Sequence, residues 1–556
     1  MPLEEEEKTR LERLLSRLDG RGYKGYKFLQ GKSFRVKFFT LTFTRIQEDP
    51  FAPPSMVEVL LKAEEHGFPR KFLEREAATP FSDFLARQLY EECKRHRRKM
   101  GTGNGGFLGV PKPSPCILQR SCVETCNGNI VARIYVGLPA RGRRILGKAA
   151  GILLLETLPK VVEASLTRRH VDMASLERHV ELFLDQEFLR GELKKRGLVA
   201  FIADGSILPR ESSYSVRPMA TAKPFRSPPS LSVVFRLPSG RIIAGMGVPE
   251  GVTVITGGGY HGKTTLLRAI QEGVYNHVEG DGREFVVTRR SAVKIRSEDG
   301  RIVRCVDISP FISELPSKVD TSTFTTEEAS GTTSAAAWLC EALELGAEVI
   351  LIDEDTIATN FLTQDDKMRI LIKKEPVKPL SSLLREIYER LGVSFIIAAG
   401  SSSELLAAAD TIILMEEYTP RDITEQAKQL VRKKVTGWLF SPPAARRLWK
   451  LPSIERVKIR NKMLVINRTV NLDLSSLEQL VEEQQLKTIA AALKWISSSC
   501  EGLTLKEVAE RIDDALSEGF GKLFRRVVPP DCSYVRGFEV VFALNHLRMA
   551  SMKIAL

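Results

Sequence analysis

The residue types that most plainly imply chemistry run from Gly257 to Thr264. Val252-Thr253-Val254-Ile255-Thr256 is an apolar, β-branched run that predicts a strand, and Thr265-Leu266-Leu267-Arg268-Ala269-Ile270 predicts a helix. Between them stands Gly257-Gly258-Gly259-Tyr260-His261-Gly262-Lys263-Thr264, which fits G-x-x-x-x-G-K-[ST] in its strand–loop–helix setting. Glycines there let successive backbone N–H groups point at phosphate oxygens, and the helix N-terminus adds its dipole. Lys263 then reaches the β- and γ-phosphates of ATP, the Thr264 hydroxyl binds Mg²⁺, and Thr265 completes the ATP-binding set. His261 either contacts phosphate or packs. Tyr260 and Phe225 each either stack on adenine or lie in the core.

Farther along, Val349-Ile350-Leu351-Ile352 predicts a buried strand ending at Asp353-Glu354. Asp353 at such a strand tip holds the Mg²⁺ shell. Glu354 accepts a proton from the attacking water, which makes it, with Lys263, the catalytic pair. Between these motifs, Ala329-Ser330-Gly331-Thr332-Thr333 heads a helix of small residues, Ser334-Ala335-Ala336-Ala337. A Ser-Gly turn at a helix start is a second set of exposed N–H donors. Trp338 on that helix is expected in the core or an interface.

This order of motifs resembles the ABC ATPases, with Asp353-Glu354-Asp355-Thr356-Ile357-Ala358-Thr359-Asn360 similar to their Walker B and D-loop. The resemblance implies D-loop roles for Asp355, Thr359 and Asn360, and a signature of Ser330, Gly331 and Thr332 acting across a dimer. Gly273-Val274-Tyr275-Asn276-His277, Gly280-Asp281-Gly282-Arg283-Glu284, Glu298-Asp299-Gly300-Arg301 and Asp307-Ile308-Ser309-Pro310-Phe311 are unlike transporter ATPases. They resemble the family known as predicted ATPases of the ABC class. So do Asp49-Pro50-Phe51-Ala52, Gly137-Leu138-Pro139-Ala140, Ile207-Leu208-Pro209-Arg210 and Asn545-His546-Leu547-Arg548, so the resemblance spans nearly the whole chain. Within that family the chain is most similar to the mitochondrial branch associated with guide-RNA-directed RNA editing in kinetoplastids. That resemblance implies a homodimer in the ATP state, RNA and RNA-processing proteins as partners, and a mitochondrial location. Three departures stand out: Ala-Ser-Gly-Thr-Thr at the signature, Gly400-Ser401 where a switch histidine is expected, and no Gln at the Q-loop, where Asp307 or Ser309 substitutes.

The elements that must position these residues are α/β: apolar strand, glycine turn and helix recur from Leu198 to Tyr418, which predicts a mostly parallel sheet. The expected architecture is an ABC-type P-loop ATPase core at 198–422, a basic, mixed α+β N-terminal domain at 1–197, and a basic, then largely helical C-terminal domain at 423–556. Phe34 to Phe39 alternates as a strand, and a helix start is expected near Asp473-Leu474-Ser475-Ser476. At 556 residues the chain is long enough for about two to four domains.

Its net charge of +13 and pI near 9.3 favour an anionic partner. The candidate RNA contacts are Lys94, Arg95, Arg97, Arg98 and Lys99 beside a glycine loop, then Arg141, Arg143 and Arg144, then Arg168 and Arg169, and last Lys433, Lys434, Arg446 and Arg447. Such clusters neutralise phosphates without reading sequence. The eight cysteines include no CxxC pair, which speaks against structural zinc and for reduced thiols in an intracellular compartment. No stretch reaches the roughly 18–20 apolar residues of a membrane helix, so a soluble chain with no membrane partner is expected. Two readings follow: an ATPase whose dimer forms a charged channel or clamp for RNA, or a non-catalytic scaffold that uses ATP to fix its dimer.

Overall fold

The computed structural model describes residues 2–212, 214–365, 372, 374–400, 402–431 and 439–555. It divides into two compact units, Met1–Leu184 with Ala515–Tyr534, and Asp185–Asp514 with Val535–Leu556. Among the described residues no helix is long and apolar enough to cross a membrane.

The first unit is built on an antiparallel sheet of β1 (Ser33–Val36), β2 (Phe39–Arg45), β3 (Ser55–Leu61), β4 (Leu108–Gly109), β5 (Val123–Cys126) and β6 (Asn129–Val136). Its order is β1-β2-β3-β6-β4, with β5 also on β6. Alternation in β2 puts Phe39, Leu41 and Phe43 inside, as a period of two demands. The Phe34–Phe39 run is not one strand. Lys37, at φ +51, turns the chain so that Val36 pairs with Phe39 in a tight hairpin. Helices α1 (Ala78–His96) and α2 (Leu158–Leu166) pack on each other over this core, and the chain leaves the unit within α3 (Met173–Lys195).

The second unit begins with β7 (Leu198–Ala203), β8 (Ser232–Arg236) and β9 (Ile242–Pro249). Then come β10 (Val252–Thr256), α4 (Lys263–Glu272), β11 (Val286–Thr288), β12 (Ala292–Ile295), β13 (Arg301–Val306) and β14 (Phe324–Ala329). Helix α5 (Gly331–Glu344) leads into β15 (Val349–Asp353), β16 (Ser394–Ala398), β17 (Thr411–Glu416) and β18 (Thr419–Asp422). The central sheet runs β12-β15-β16-β10-β17-β18. Its first five strands are parallel and β18 is antiparallel. Ile350, Leu351 and Ile352 of β15 and Phe395, Ile396 and Ile397 of β16 are fully buried, as strands covered on both faces require. An antiparallel sheet β8-β9-β7-β11 and the hairpin β13-β14 complete this part.

The C-terminal part contributes β19 (Arg446–Lys450), β20 (Val457–Arg460), β21 (Met463–Ile466), β22 (Val470–Asp473), α6 (Gln484–Ser499), α7 (Gly537–Asn545) and β23 (Ser551–Ile554). β19 pairs with β23, and β20-β21-β22 is a meander. The helix expected to start near Asp473 starts at Gln484 instead. The Asp473 carboxylate accepts the N–H and hydroxyl of Ser475, a local turn that competes with the first turn of a helix.

Candidate nucleotide site

Between β10 and α4 the chain takes a backbone that few side chains tolerate. Gly257 and Gly262 lie at φ +138 and +98, open to glycine at little cost. A Cβ at Gly257 would collide with the Met415 carbonyl, and one at Gly262 would come within 3.0 Å of the Tyr418 ring. Gly262 caps α4 with no side-chain hydrogen bond, so the first N–H groups of the helix are left for a ligand. Lys263 Nζ donates to the carbonyls of Gly257 (2.7 Å) and Gly258 (2.8 Å), which holds its ammonium inside the loop. Thr264 and Thr265 follow on the first turn, both half-buried.

His261 lays its ring against the loop, where a Cβ at Gly258 would come within 3.2 Å of it. Its Nδ1 accepts the Glu417 N–H at 2.9 Å and its carbonyl accepts the Tyr418 N–H at 3.2 Å. It therefore pins the β17–β18 turn, where Glu417 and Tyr418 stand at φ +45 and +64. Tyr260, at φ +63, is 98% exposed, so a core role does not describe it. Phe225, 2% exposed, is core.

One strand, β16, separates β10 from β15. Asp353 ends β15, 4% exposed, and its carboxylate accepts no hydrogen bond among the described residues. Glu354 opens a short 3₁₀ turn. Its Oε2 accepts the Gly400 N–H at 2.5 Å, while the Gly400 carbonyl accepts the Thr256 hydroxyl at 3.3 Å. A backbone group thus stands where a histidine ring was expected, and it ties the end of the P-loop strand to Glu354. Ser401 lies outside the described residues. Asp353, buried with its carboxylate unclaimed, and the Thr264 hydroxyl are the oxygen donors that suit Mg²⁺, and these residues would hold it.

At the other helix start, Ser330 caps α5, accepting the Thr333 N–H at 3.3 Å. Ser297 Oγ donates to the Gly331 carbonyl (2.8 Å) and accepts the Ala358 N–H (2.7 Å). Thr332 Oγ1 donates to Asn360 Oδ1 at 2.8 Å. The signature turn and the segment from Ala358 to Asn360 are therefore one hydrogen-bonded piece, with Asp355, Thr359 and Asn360 exposed on it. Nothing in the sequence marked Ser297, because a lone serine after a strand carries no pattern. Asp307 accepts the N–H (3.1 Å) and hydroxyl (2.6 Å) of Ser309 and the Ala444 N–H (2.9 Å), so the two Q-loop candidates are bonded to each other and to Ala444.

Behind α5 lies an ionic core. Arg301 pairs with Glu341, both side chains fully buried, and stands over Trp338 at 4.8 Å. Arg446 donates to Glu344 from Nε at 3.0 Å and from NH2 at 2.7 Å. Burial raises the Glu344 carboxyl above its ordinary range despite Arg446. His546 Nε2 meets Glu298 at 3.1 Å and Nδ1 meets the Phe542 carbonyl at 2.7 Å. Burial pushes the Glu298 carboxyl up, but the His546 bond and charge and the Arg301 charge outweigh it and hold it at about 2.

The basic clusters divide sharply. Lys94 and Arg95 pair with Glu91 and Glu92. Arg97 stacks on Phe107 at 4.2 Å, and Lys99 holds the Gly103 carbonyl. Arg143 pairs with Asp49, and Arg144 donates to the Gly20 carbonyl. Arg98, Arg141, Arg168 and Arg169 are exposed and make no such pairs among the described residues. Arg446 is 1% exposed and spent on Glu344, so it is not available to phosphate. Arg447 is exposed on β19, with NH1 on the Gly502 carbonyl. Lys433 and Lys434 lie outside the described residues. The glycine loop itself is structural, since a Cβ at Gly103 would collide with the Pro50 carbonyl.

Three family models match consecutive stretches of the chain. Residues 8–169 match the N-terminal domain of ATPases of the ABC class, 172–444 the P-loop domain of the ABC ATPases, and 456–553 the MRB1590 C-terminal domain. The chain is similar to the uncharacterized protein MJ1628 of Methanocaldococcus jannaschii, 34% identical over 262 residues, which span 45% of this chain and 57% of that one. It thus spans little more than half of that relative. Among solved structures, cbiO1 from Clostridium perfringens, part of the transporter complex cbiONQ, is 14% identical. It overlaps 40% of this chain and 87% of its own at a TM-score of 0.24. The ADP conformation of MJ1267, an ATP-binding cassette of an ABC transporter, is 12% identical. It overlaps 42% and 94% at a TM-score of 0.26.

Proposed function

The chain is an ABC-class P-loop protein that resembles MRB1590, its three matched domains following one another along the sequence, and from that premise we propose that it hydrolyses ATP with Mg²⁺ as a homodimer that grips RNA. The observation that carries this is the placing of Glu354 one strand from the P-loop strand, its carboxylate held by the Gly400 N–H at 2.5 Å. Glu354 accepts a proton from water as the water oxygen bonds to the γ-phosphorus. The bond to the bridging oxygen breaks, and ADP and phosphate leave. Lys263 and the open N-terminus of α4 hold the β- and γ-phosphates as charge moves onto the leaving oxygen. Bound Mg²⁺, held by Thr264 and Asp353, would neutralise phosphate charge.

Distance supports the dimer. Helix α5 packs on β12 and β13, and β12 lies three strand spacings from β10, about 14 Å across the sheet. A second copy supplies Ser330 and Gly331 to the phosphates bound at Lys263. The net charge of +13 and the unpaired surface arginines support RNA as the partner, and the MRB1590 likeness supports mitochondrial RNA editing or processing as the setting.

Gly400 in place of a γ-phosphate-sensing histidine favours one rival, a scaffold that binds ATP without turning it over. Steady-state phosphate release by wild type and Glu354→Gln, with and without structured and single-stranded RNA, separates them. The expected result is RNA-stimulated turnover that falls about 100-fold or more in the variant. Tight ATP binding with no turnover and no response to RNA would leave the scaffold.

A further inference from the structure

The meander β20-β21-β22 and the turns beside it carry a run of positive charge. Arg456, Lys458, Arg460, Lys462 and Arg468 are all exposed, and none of their side chains makes an ion pair or hydrogen bond among the described residues. The meander register explains why they gather. Lys458, Val465 and Asn471 stand in one row, and Arg460, Met463 and Asp473 in the next. Leu464, Ile466 and Leu472 are buried on the other face. The one carboxylate in those rows, Asp473, is spent on Ser475.

Beside the meander is an open cleft of about 460 Å³ lined by Ser453, Glu455, Arg456, Asn467 and Arg468. Its floor is built. Asn467 Oδ1 accepts the N–H groups of Glu455 (3.0 Å) and Arg456 (3.2 Å), and its Nδ2 donates to the Ser453 carbonyl (3.0 Å). Asn467 and Arg468 both stand at positive φ, +49 and +69, which costs an arginine about 1–2 kcal/mol and holds its side chain out at the rim.

On β19, seven residues before Arg456, Trp449 is 54% exposed, with the Lys553 ammonium of β23 at 3.3 Å over its ring. Five cations against one carboxylate in the cleft lining, Glu455, leave a net positive surface. An indole left half in water among them adds a flat apolar surface that a phosphate or an acidic side chain cannot use. A strand of nucleic acid with unpaired bases offers both charge and a ring face. An extended chain of seven residues reaches at most about 24 Å, so the indole and the cleft lie within one short oligonucleotide.

We propose that this face of the C-terminal part binds single-stranded RNA, a base stacking on Trp449 and phosphates crossing the Arg456–Arg468 rim and the Lys458 and Arg460 rows. It rests on the RNA reading above and gives that reading an address.

The test uses the full chain and fluorescein-labelled oligouridine, with affinity followed by anisotropy against salt. Trp449→Ala should weaken binding about tenfold or more, and Trp449→Phe should restore most of it. The triple variant Lys458→Gln, Arg460→Gln, Arg468→Gln alters only exposed side chains and should lower the salt slope by about two. A wild type that binds oligouridine while both variants bind equally well, with unchanged slope, would overturn this address and leave the RNA reading standing. A wild type that ignores oligouridine at low salt would overturn both. Capture of polyglutamate without oligouridine would make the face a dock for acidic protein instead and overturn both as well.

Discussion

Helices α4 and α5 both begin at a glycine turn, and both offer N–H groups to an anion, yet they are finished in opposite ways. At α4 the cap is Gly262, with no side chain to satisfy the first donors. The neighbouring Lys263 is folded onto the loop carbonyls. At α5 the cap is Ser330, whose oxygen is taken by Thr333, and the turn is tied through Ser297 and Thr332 to the segment after Glu354. Buried pairs Arg301–Glu341 and Arg446–Glu344 then brace the same helix from behind. The α4 start leaves its binding groups open and carries its own cation. The α5 start has few donors to spare but is held stiffly, which suits a surface presented to phosphates bound elsewhere.

The sharpest way to break this comparison is to disable each helix start in turn. Lys263→Ala removes two charge-assisted hydrogen bonds to phosphate, each worth about 1.5–3 kcal/mol, so ATP affinity should fall about 100-fold or more in a titration with a fluorescent ATP analogue. Ser330→Ala should leave that affinity near wild type at low protein concentration. It should instead weaken ATP-dependent dimer formation by Glu354→Gln protein in sedimentation. Equal loss of monomer ATP affinity in the two variants would erase the difference between the sites.

Stiffness behind α5 can be tested with less drama. Arg301→Met leaves buried Glu341 with only Arg446, 3.8 Å away, to answer its charge, and a broken buried pair costs about 3–5 kcal/mol, to be read as a lower midpoint in urea. Glu341 Oε1 has no hydrogen-bond partner even in the intact pair. Arg301→Met with Glu341→Leu should therefore recover most of the loss, since two apolar groups fill the space without an orphaned charge. If the double variant were as unstable as the single one, shape rather than charge would be bracing the helix.

How much of this was legible in the sequence depends on the range of the interactions. The P-loop, Asp353-Glu354 and Ser330-Gly331 were legible because each is a local pattern set by backbone geometry, and the flanking strands at Val252–Thr256 and Val349–Asp353 fell where apolar β-branched runs put them. What was hidden joins residues far apart in the chain. Ser297 reaches both Gly331 and Ala358, Gly400 reaches Glu354, and His261 reaches Glu417, and no periodicity announces such contacts. Charge misled for the same reason: Arg446 reads as one cation in a basic segment, but folding lays it against Glu344, 102 positions away. The Phe34–Phe39 run has strand alternation, and only the left-handed backbone at Lys37 divides it into a hairpin.

The smallest expected effect concerns the joint between Glu298 and His546, which links α7 to the residue that follows Ser297. Glu298 Oε2 meets His546 Nε2 at 3.1 Å, and the Glu298 N–H donates to Ser334 Oγ at 2.9 Å near the start of α5. With its folded pKa at about 2 against an ordinary 4.5, Glu298 binds protons less readily folded than unfolded. The stabilisation is therefore complete above about 4.5 and is lost as pH falls from there towards 2. His546→Gln takes away the main group opposing burial, so the folded carboxyl rises towards its unfolded value. The variant should melt lower at neutral pH, and its melting temperature should fall less between about pH 4.5 and 2 than that of wild type. The Lys263→Ala chain, altered only at the open helix start, should keep the wild-type acid profile. A His546→Gln profile that overlays wild type would mean that the joint contributes nothing to the stiffness of α5, and that the ionic core around Glu341 and Glu344 accounts for it alone.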